Sequence, residues 1–351
     1  MSGSIFKNGA YSMGFDMNPN DALVWTQLDH GSANSGITPF GRGYSWYIGN
    51  GCGMLLGENV TTLTVGFWWY GTSVAASGWG TAGIFSFFDA TANAIQVALR
   101  VSATGQIGFF LGSGTGTALG SPSVALTLQG NVGAYIEVSI HVGSGSSGAV
   151  TCNINGSLAC SASSVNTQNT ANAWVNAVQF LQPAGSSYYI DDMYMLDGSG
   201  PLGTAFLGPL QVRGDAASAN SAVGGRNAWT GTPATGSNTY QNVAHIPVNT
   251  SDYNYDANPG DYDMFRFPGL PSASDDVLFM SEWVTVLLDA AGARTVALNA
   301  YSGGTDSQDT AFTPSTSAMM VNKVMVVDPH TSAPFTVAAA AATELGVILV
   351  S

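Results

Sequence analysis

Hydrophobic and polar residues alternate with a period of two along much of the first half of the chain, the spacing of strands that bury one face. In TTLTVGFWWYG, Leu63, Val65, Phe67 and Trp69 fall on one side and Thr62, Thr64, Gly66 and Trp68 on the other. In IQVALRVSATGQIGFFLG, Ile95, Val97, Leu99 and Val101 alternate with Gln96, Ala98, Arg100 and Ser102. Ala103-Thr104-Gly105 then turns the chain into Ile107, Phe109 and Leu111, which predicts a hairpin. AYIEVSIHV repeats the pattern through Ile136, Val138, Ile140 and Val142, with Glu137, Ser139 and His141 opposite, and leads into a hairpin around Asn155-Gly156 in AVTCNINGSLAC. Short strands joined by Gly-rich turns, with no helix between them, predict a two-sheet antiparallel sandwich.

The pattern changes after YYIDDMYMLDGSG, and a connector near 198–212 divides the chain into domains 1–200 and 201–351. A Gly-, Ser-, Asn- and Thr-rich stretch up to about Asn242 reads as a long loop or arm. Beyond it, DDVLFMSEWVTVLLD and ARTVALNAYSGG predict a hairpin joined across Ala290-Ala291-Gly292. Thr336 is placed to cap one short helix running through the Ala run to Leu345, ended by Gly346 and followed by a strand over Val347 to Val350. The fold class is therefore all-β: a sandwich followed by a smaller β-rich domain with one short helix.

Composition narrows the function classes. With 45% hydrophobic and 9% charged residues in 351, the chain is globular rather than disordered. Eight Lys and Arg stand against 22 Asp and Glu, and the cations lie singly at Lys7, Arg42, Arg100, Arg213, Arg226, Arg266, Arg294 and Lys323. Without a basic patch, nucleic acid is excluded as a partner. No run approaches the roughly 18 apolar residues of a membrane span, and the first twenty residues show no secretory pattern, so synthesis in a cytoplasm and no membrane partner are expected. The three cysteines, Cys52, Cys152 and Cys160, read as buried thiols. A three-residue loop centred on Asn155, pairing Val150 with Cys160 and Cys152 with Leu158, is the favoured register, with a two-residue loop the alternative.

Candidate chemistry is sparse. His30, His141, His245 and His330 are far apart, and no GxSxG elbow, P-loop or HExxH is present. The Gly-rich stretch LGSGTGTALGSP reads as a hairpin connection, and DYNYDANPGDYD as a solvated acidic loop. Glu58, Glu137, Glu282 and Glu344 form no paired acid motif, so no catalytic residue is assigned. Calcium is the candidate cation, with Asp191 or Asp192 joining Asp29, against the reading in which strand-end acids accept backbone hydrogen bonds. Trp46, Trp68 and Trp79, near Tyr44, Tyr47 and Tyr70, offer an aromatic platform for sugar rings, against the reading that they pack a core.

The order TLTVGFWWYG, AYIEVSIHV, GAVTCNINGSLA and YYIDDMYMLDG resembles the laminin-G-like, concanavalin-like lectin domains of phage and prophage proteins. FLGPLQVRG, WTGTPATGSNTYQNVAHIP, DDVLFMSEWVTVLLDAAGARTVALNAYSGG and VVDPHTSAPFTVAAAAATELGVILVS resemble the second half of phage structural proteins. Where such relatives carry a Trp before the glutamate strand, this chain has Gly133-Ala134-Tyr135. The resemblance implies a lectin-like jelly roll in a non-enzymatic structural component of a tailed bacteriophage virion. Its partners would be other virion proteins, copies of itself in a homo-oligomer, with a trimer expected, and a host surface glycan. Its place would be a tail fibre, tip or adhesin, with a capsid decoration or head-fibre protein as the alternative and a glycan depolymerase as the second.

Overall fold

The computed structural model describes residues 10–13, 32–34, 45–48, 52–71, 79, 83–112, 116–124, 127, 130, 132–181, 188–198, 214–215, 228–234, 239–244, 251–267, 277, 279–289 and 294–351. The chain divides into two compact units, Met1–Leu207 and Gly208–Ser351, and both are built of antiparallel sheet.

The first unit carries β1 (Ala10–Met13), β2 (Ser32–Asn34), β3 (Ser45–Ile48), β4 (Cys52–Val60), β5 (Thr62–Gly71), β6 (Phe85–Asp89) and β7 (Ala94–Val101). Then follow β8 (Ile107–Leu111), β9 (Ala118–Leu119), β10 (Gly133–His141), β11 (Gly148–Ile154), β12 (Ser157–Val165), β13 (Val175–Phe180) and β14 (Tyr188–Asp197). The larger sheet runs β12-β11-β10-β5-β14-β3-β2, with β1 also on β14, and the smaller runs β4-β13-β6-β7-β8-β9. Their inner faces make one core. Leu63, Val65 and Phe67 are fully buried, Trp69 nearly so, and Phe67 meets Phe85 at 5.5 Å and Phe180 edge-on at 5.0 Å between ring centroids. Each such side chain contributes about 1.5–3 kcal/mol by leaving water. Alternation therefore leaves Thr64, Gly66 and Trp68 on the outer face of the larger sheet, and Ala98 and Arg100 on that of the smaller.

At the β11–β12 hairpin the structure departs from the three-residue loop. Asn155 and Gly156 both have positive φ (48° and 75°), so a two-residue turn opposes Ile154 to Ser157 and Asn153 to Leu158. A bulge then brings Cys152 directly opposite Cys160, both as free, buried thiols. The side chain of Cys52 lies outside the described residues.

The second unit contains β15 (Gly214–Asp215), β16 (Thr230–Thr232), α1 (Tyr240–Val243), β17 (Tyr253–Tyr255), β18 (Tyr262–Arg266), β19 (Met280–Val286) and β20 (Val296–Ser302). It ends with β21 (Thr305–Gln308), β22 (Met319–Met325), α2 (Val337–Ala342) and β23 (Glu344–Leu349). Its main sheet runs β15-β18-β23-β20-β21, and the β19–β22 ribbon packs Val284 and Val321 against Val296, Leu298, Val347 and Leu349. The expected hairpin between the β19 and β20 runs does not form. Gly303 and Gly304, both at positive φ, fold β20 onto β21 instead, and β20's other edge takes β23. Thr336 caps α2 through the Ala339 N–H at 3.1 Å, but the helix stops at Ala342. Gly346 lies inside β23, where a Cβ would stand 2.0 Å from the Asp263 carbonyl oxygen.

Candidate functional site

The outer face of the larger sheet brings together Glu137, Asp191, Tyr135 and Tyr194, all buried. In register, Glu137 of β10 lies beside Gly66 of β5, and Gly66 beside Tyr194 of β14. Because Gly66 has no side chain, the Tyr194 ring lies across β5; a Cβ there would be 2.1 Å from the ring. The phenol thereby reaches the neighbouring strand and donates to Glu137 Oε1 at 2.5 Å.

A bulge in β14 supplies the other acids. Asp191 faces Trp68 and Tyr194 faces Gly66, so two residues, Asp192 and Met193, occupy the space of one. Asp191 and Tyr194, three apart in sequence, therefore stand on one face. Asp192 takes a left-handed φ of 45°, Asp191 Oδ1 accepts its N–H at 2.8 Å, and Tyr135 donates its hydroxyl to the Asp192 carbonyl at 3.1 Å. Burial, then the Glu137 hydrogen bond and charge, push the Tyr194 phenol far up; burial first, then Tyr194, Asp192 and Glu137, do the same to Tyr135. Both phenols are thus protonated donors at neutral pH.

Half-buried Trp68 and Tyr70 and the exposed His141 rim these groups, with the buried Tyr189 and Thr64 beside them. Trp68 and Tyr70 stack at 5.8 Å and 19° along β5, and Tyr189 continues the strip at 6.3 Å from Tyr70. On the other side Thr64 donates to Ser139 at 3.1 Å, and the exposed His141 meets Thr62 at 2.9 Å. No Lys or Arg of the sandwich stands on this face among the described residues.

The residues expected from sequence are dispersed by this arrangement. Trp68 belongs to the aromatic strip, but Trp79 lies on the smaller sheet, 5.1 Å from Phe110, and the Trp46 side chain lies outside the described residues. The three tryptophans therefore do not make one platform. Asp191 and Asp192 are buried in the bulge, Asp29 lies outside the described residues, and among those described no group of three or more His, Cys, Asp or Glu is placed to hold a metal ion. Sequence reasoning missed Glu137 and Tyr194. The available signals were a lone Gly inside an otherwise apolar strand and a tyrosine three residues beyond an acid.

No family model and no curated protein matches the chain. Among solved structures it is similar to the alginate lyase Aly36B (14% identity, 55% of this chain and 98% of that one, TM-score 0.34). It is also similar to an endo-β-1,4-glucuronan lyase from Trichoderma reesei (9%, 53% and 96%, 0.39). A third is a PL-14 alginate lyase from Aplysia kurodai (14%, 55% and 91%, 0.37). The expectation of a non-enzymatic virion component, on tail or capsid, is corrected here: the three structures named are polysaccharide lyases and none is a virion component. Likenesses this low carry no argument about substrate or reaction, which rest on the site itself.

Proposed function

We propose that the sandwich is a glycan depolymerase that hydrolyses a polysaccharide laid along the outer face of its larger sheet. The observation that carries this reading is the Glu137–Tyr194 pair beside the Trp68–Tyr70 strip. The Tyr194 hydroxyl donates to Glu137 Oε1 and fixes that carboxyl's orientation, as a group that takes a proton from an attacking water requires. The second carboxyl, which protonates the leaving sugar oxygen, comes from the Asp191–Asp192 bulge. Strands β10 and β14 flank β5, so their backbones are about 10 Å apart, the scale of separation of an acid–base carboxyl pair with a water between. Flat aromatic faces alongside stack on the apolar faces of sugar rings. Elimination from a uronate is the weaker chemistry here, because it needs a group that neutralises the substrate carboxylate, and no Lys or Arg stands on this face among the described residues. The resemblance to phage proteins bears on the substrate proposed, a bacterial surface polysaccharide.

The test is incubation of the full chain with a panel of bacterial surface polysaccharides, scoring new reducing ends and the ultraviolet absorbance of unsaturated sugars. Reducing ends without that absorbance are expected, with Glu137→Gln lowering the rate about 100-fold or more at an unchanged melting profile. Product with full activity in Glu137→Gln, or no product from any glycan, would overturn the reading.

A further inference from the structure

The outer face of the smaller sheet presents a different kind of group. Register places Gln179, Ser86, Ala98 and Phe110 in one transverse row, with Arg100 and Gly108 in the next. Arg100 is only 3% exposed, and its guanidinium carbon lies 4.4 Å from the centre of the Phe110 ring. It therefore leans back into the row of Ser86, over the small Ala98. Its Nε and Nη2, and the Ser86 Oγ, are buried and have no hydrogen-bond partner among the described residues.

Nε and Nη2 form one edge of the guanidinium, and their two parallel N–H bonds match the two oxygens of a carboxylate. Four residues back on the same face, Gln96 shows how this fold treats a purely structural polar group. Its Nε2 donates to Thr170 Oγ1 and to the Asn172 and Trp174 carbonyls, and its Oε1 accepts from the Asn169 and Thr170 N–H groups. Among the described residues no loop does the same for Arg100, although an unpaired buried charge is among the costliest features a fold can keep. Beside it, Trp79 and Phe110 line an apolar pocket of about 80 Å³ together with Gly108, Leu119 and Pro122. Burial also pushes the Arg100 guanidinium down from its ordinary value, as desolvation without a counter-charge does.

We propose that Arg100 and Ser86 form a binding site for the carboxylate of an acidic sugar unit, with the Trp79–Phe110 aromatic pair against its ring. The site is on the opposite sheet from Glu137 and stands independently of whether that acid cuts a chain. Arg100 takes both carboxylate oxygens along its free edge, and Ser86 donates to one of them.

The test is calorimetric titration of the full chain with a glucuronate trisaccharide, its carboxyl-reduced neutral counterpart, and a neutral trisaccharide carrying a sulfate. The acidic sugar is expected to bind about 10-fold to 100-fold more tightly than the neutral one, as loss of a charge-assisted pair requires. Arg100→Lys, which keeps the charge and loses the edge, should weaken it about 10-fold, and Arg100→Gln should erase the preference. A second readout needs no ligand: Arg100→Met should leave the melting temperature unchanged or raise it, because an unpaired buried charge is replaced by apolar volume. Equal affinity for acidic and neutral sugars would overturn the proposal, as would an unaltered preference in Arg100→Gln. So would a marked fall in melting temperature for Arg100→Met, which would make the arginine a structural anchor, and tighter binding of the sulfated sugar would overturn the carboxylate assignment.

Discussion

On the larger sheet's outer face a buried carboxylate is held by a phenol that crosses a whole strand to reach it, whereas on the smaller sheet's outer face a buried guanidinium keeps one edge without a partner among the described residues. Local sequence treats the two alike, as polar residues at outward positions of alternating strands. What separates them is the neighbouring strand: Gly66 makes room for a reaching phenol, while no side chain from the strands beside β7 reaches the Nε–Nη2 edge of Arg100 among the described residues. The first arrangement orients a group for chemistry; the second leaves a group to be completed from outside.

The sharpest break of that contrast is Gly66→Ala. The new methyl would meet the Tyr194 ring at 2.1 Å, and with strands on both sides β5 has no room to shift. A loss of about 3 kcal/mol or more is expected in denaturant unfolding, with glycan cleavage abolished. Adding Tyr194→Ala should recover part of the stability but none of the activity, since the clash goes and the donor to Glu137 goes with it. A double variant no more stable than Gly66→Ala alone would mean that the ring is not what the methyl meets.

Next in size is Gln96→Ala, which opens the network tying 169–174 to β7 and removes five hydrogen bonds. A cost on the order of 2–3 kcal/mol is expected by thermal or denaturant melting. Set against the neutral or stabilising Arg100→Met, opposite signs at two residues four apart on one strand would separate a scaffold group from a waiting one. Equal losses at both would erase that distinction.

Tyr194→Phe is milder. It removes one hydroxyl from a ring that otherwise keeps its place, so about 1–2 kcal/mol of stability and a larger fraction of activity should go. Its diagnostic readout is the cleavage rate with the fold intact, which should fall because Glu137 would lose the donor that orients it. An unchanged rate would separate Tyr194 from the acid's function.

The sandwich and its core were legible because Leu63, Val65, Phe67 and Trp69, and Ile136, Val138 and Ile140, keep strict alternation, and a one-residue slip would turn each set outward. The site was not legible, because Glu137 and Tyr194 are 57 residues apart and meet only through the pairing of β10, β5 and β14. The β14 bulge hid it further, since strict alternation puts Asp191 and Tyr194 on opposite faces. In the second unit, the hairpin expected across 290–292 lost to the Gly303-Gly304 turn. Local turn chemistry competed with run-to-run adjacency, and both were in the sequence without a rule to rank them.

Glu282 of the second unit falls between the two faces, a buried acid with a cation in its neighbourhood that another group already holds. It pairs across strands with Lys323, but the Lys323 ammonium is bound to Asp309 at 2.6 Å, and Glu282 Oε2 has no hydrogen-bond partner among the described residues. Burial pushes the Glu282 carboxyl well above its ordinary 4.5, Lys323 pulls it back only in part, and Asp309 adds to the rise. The folded state therefore holds this proton more tightly than the unfolded chain does. Its contribution to stability is fully present below pH 4.5 and is lost progressively as pH rises toward the folded-state value. Glu282→Gln keeps the shape and cannot ionise, so its melting temperature should match the parent in acid and exceed it by a growing margin as pH increases. Parallel melting profiles for the two proteins would show that the Lys323 charge, although shared with Asp309, already compensates the carboxylate in full.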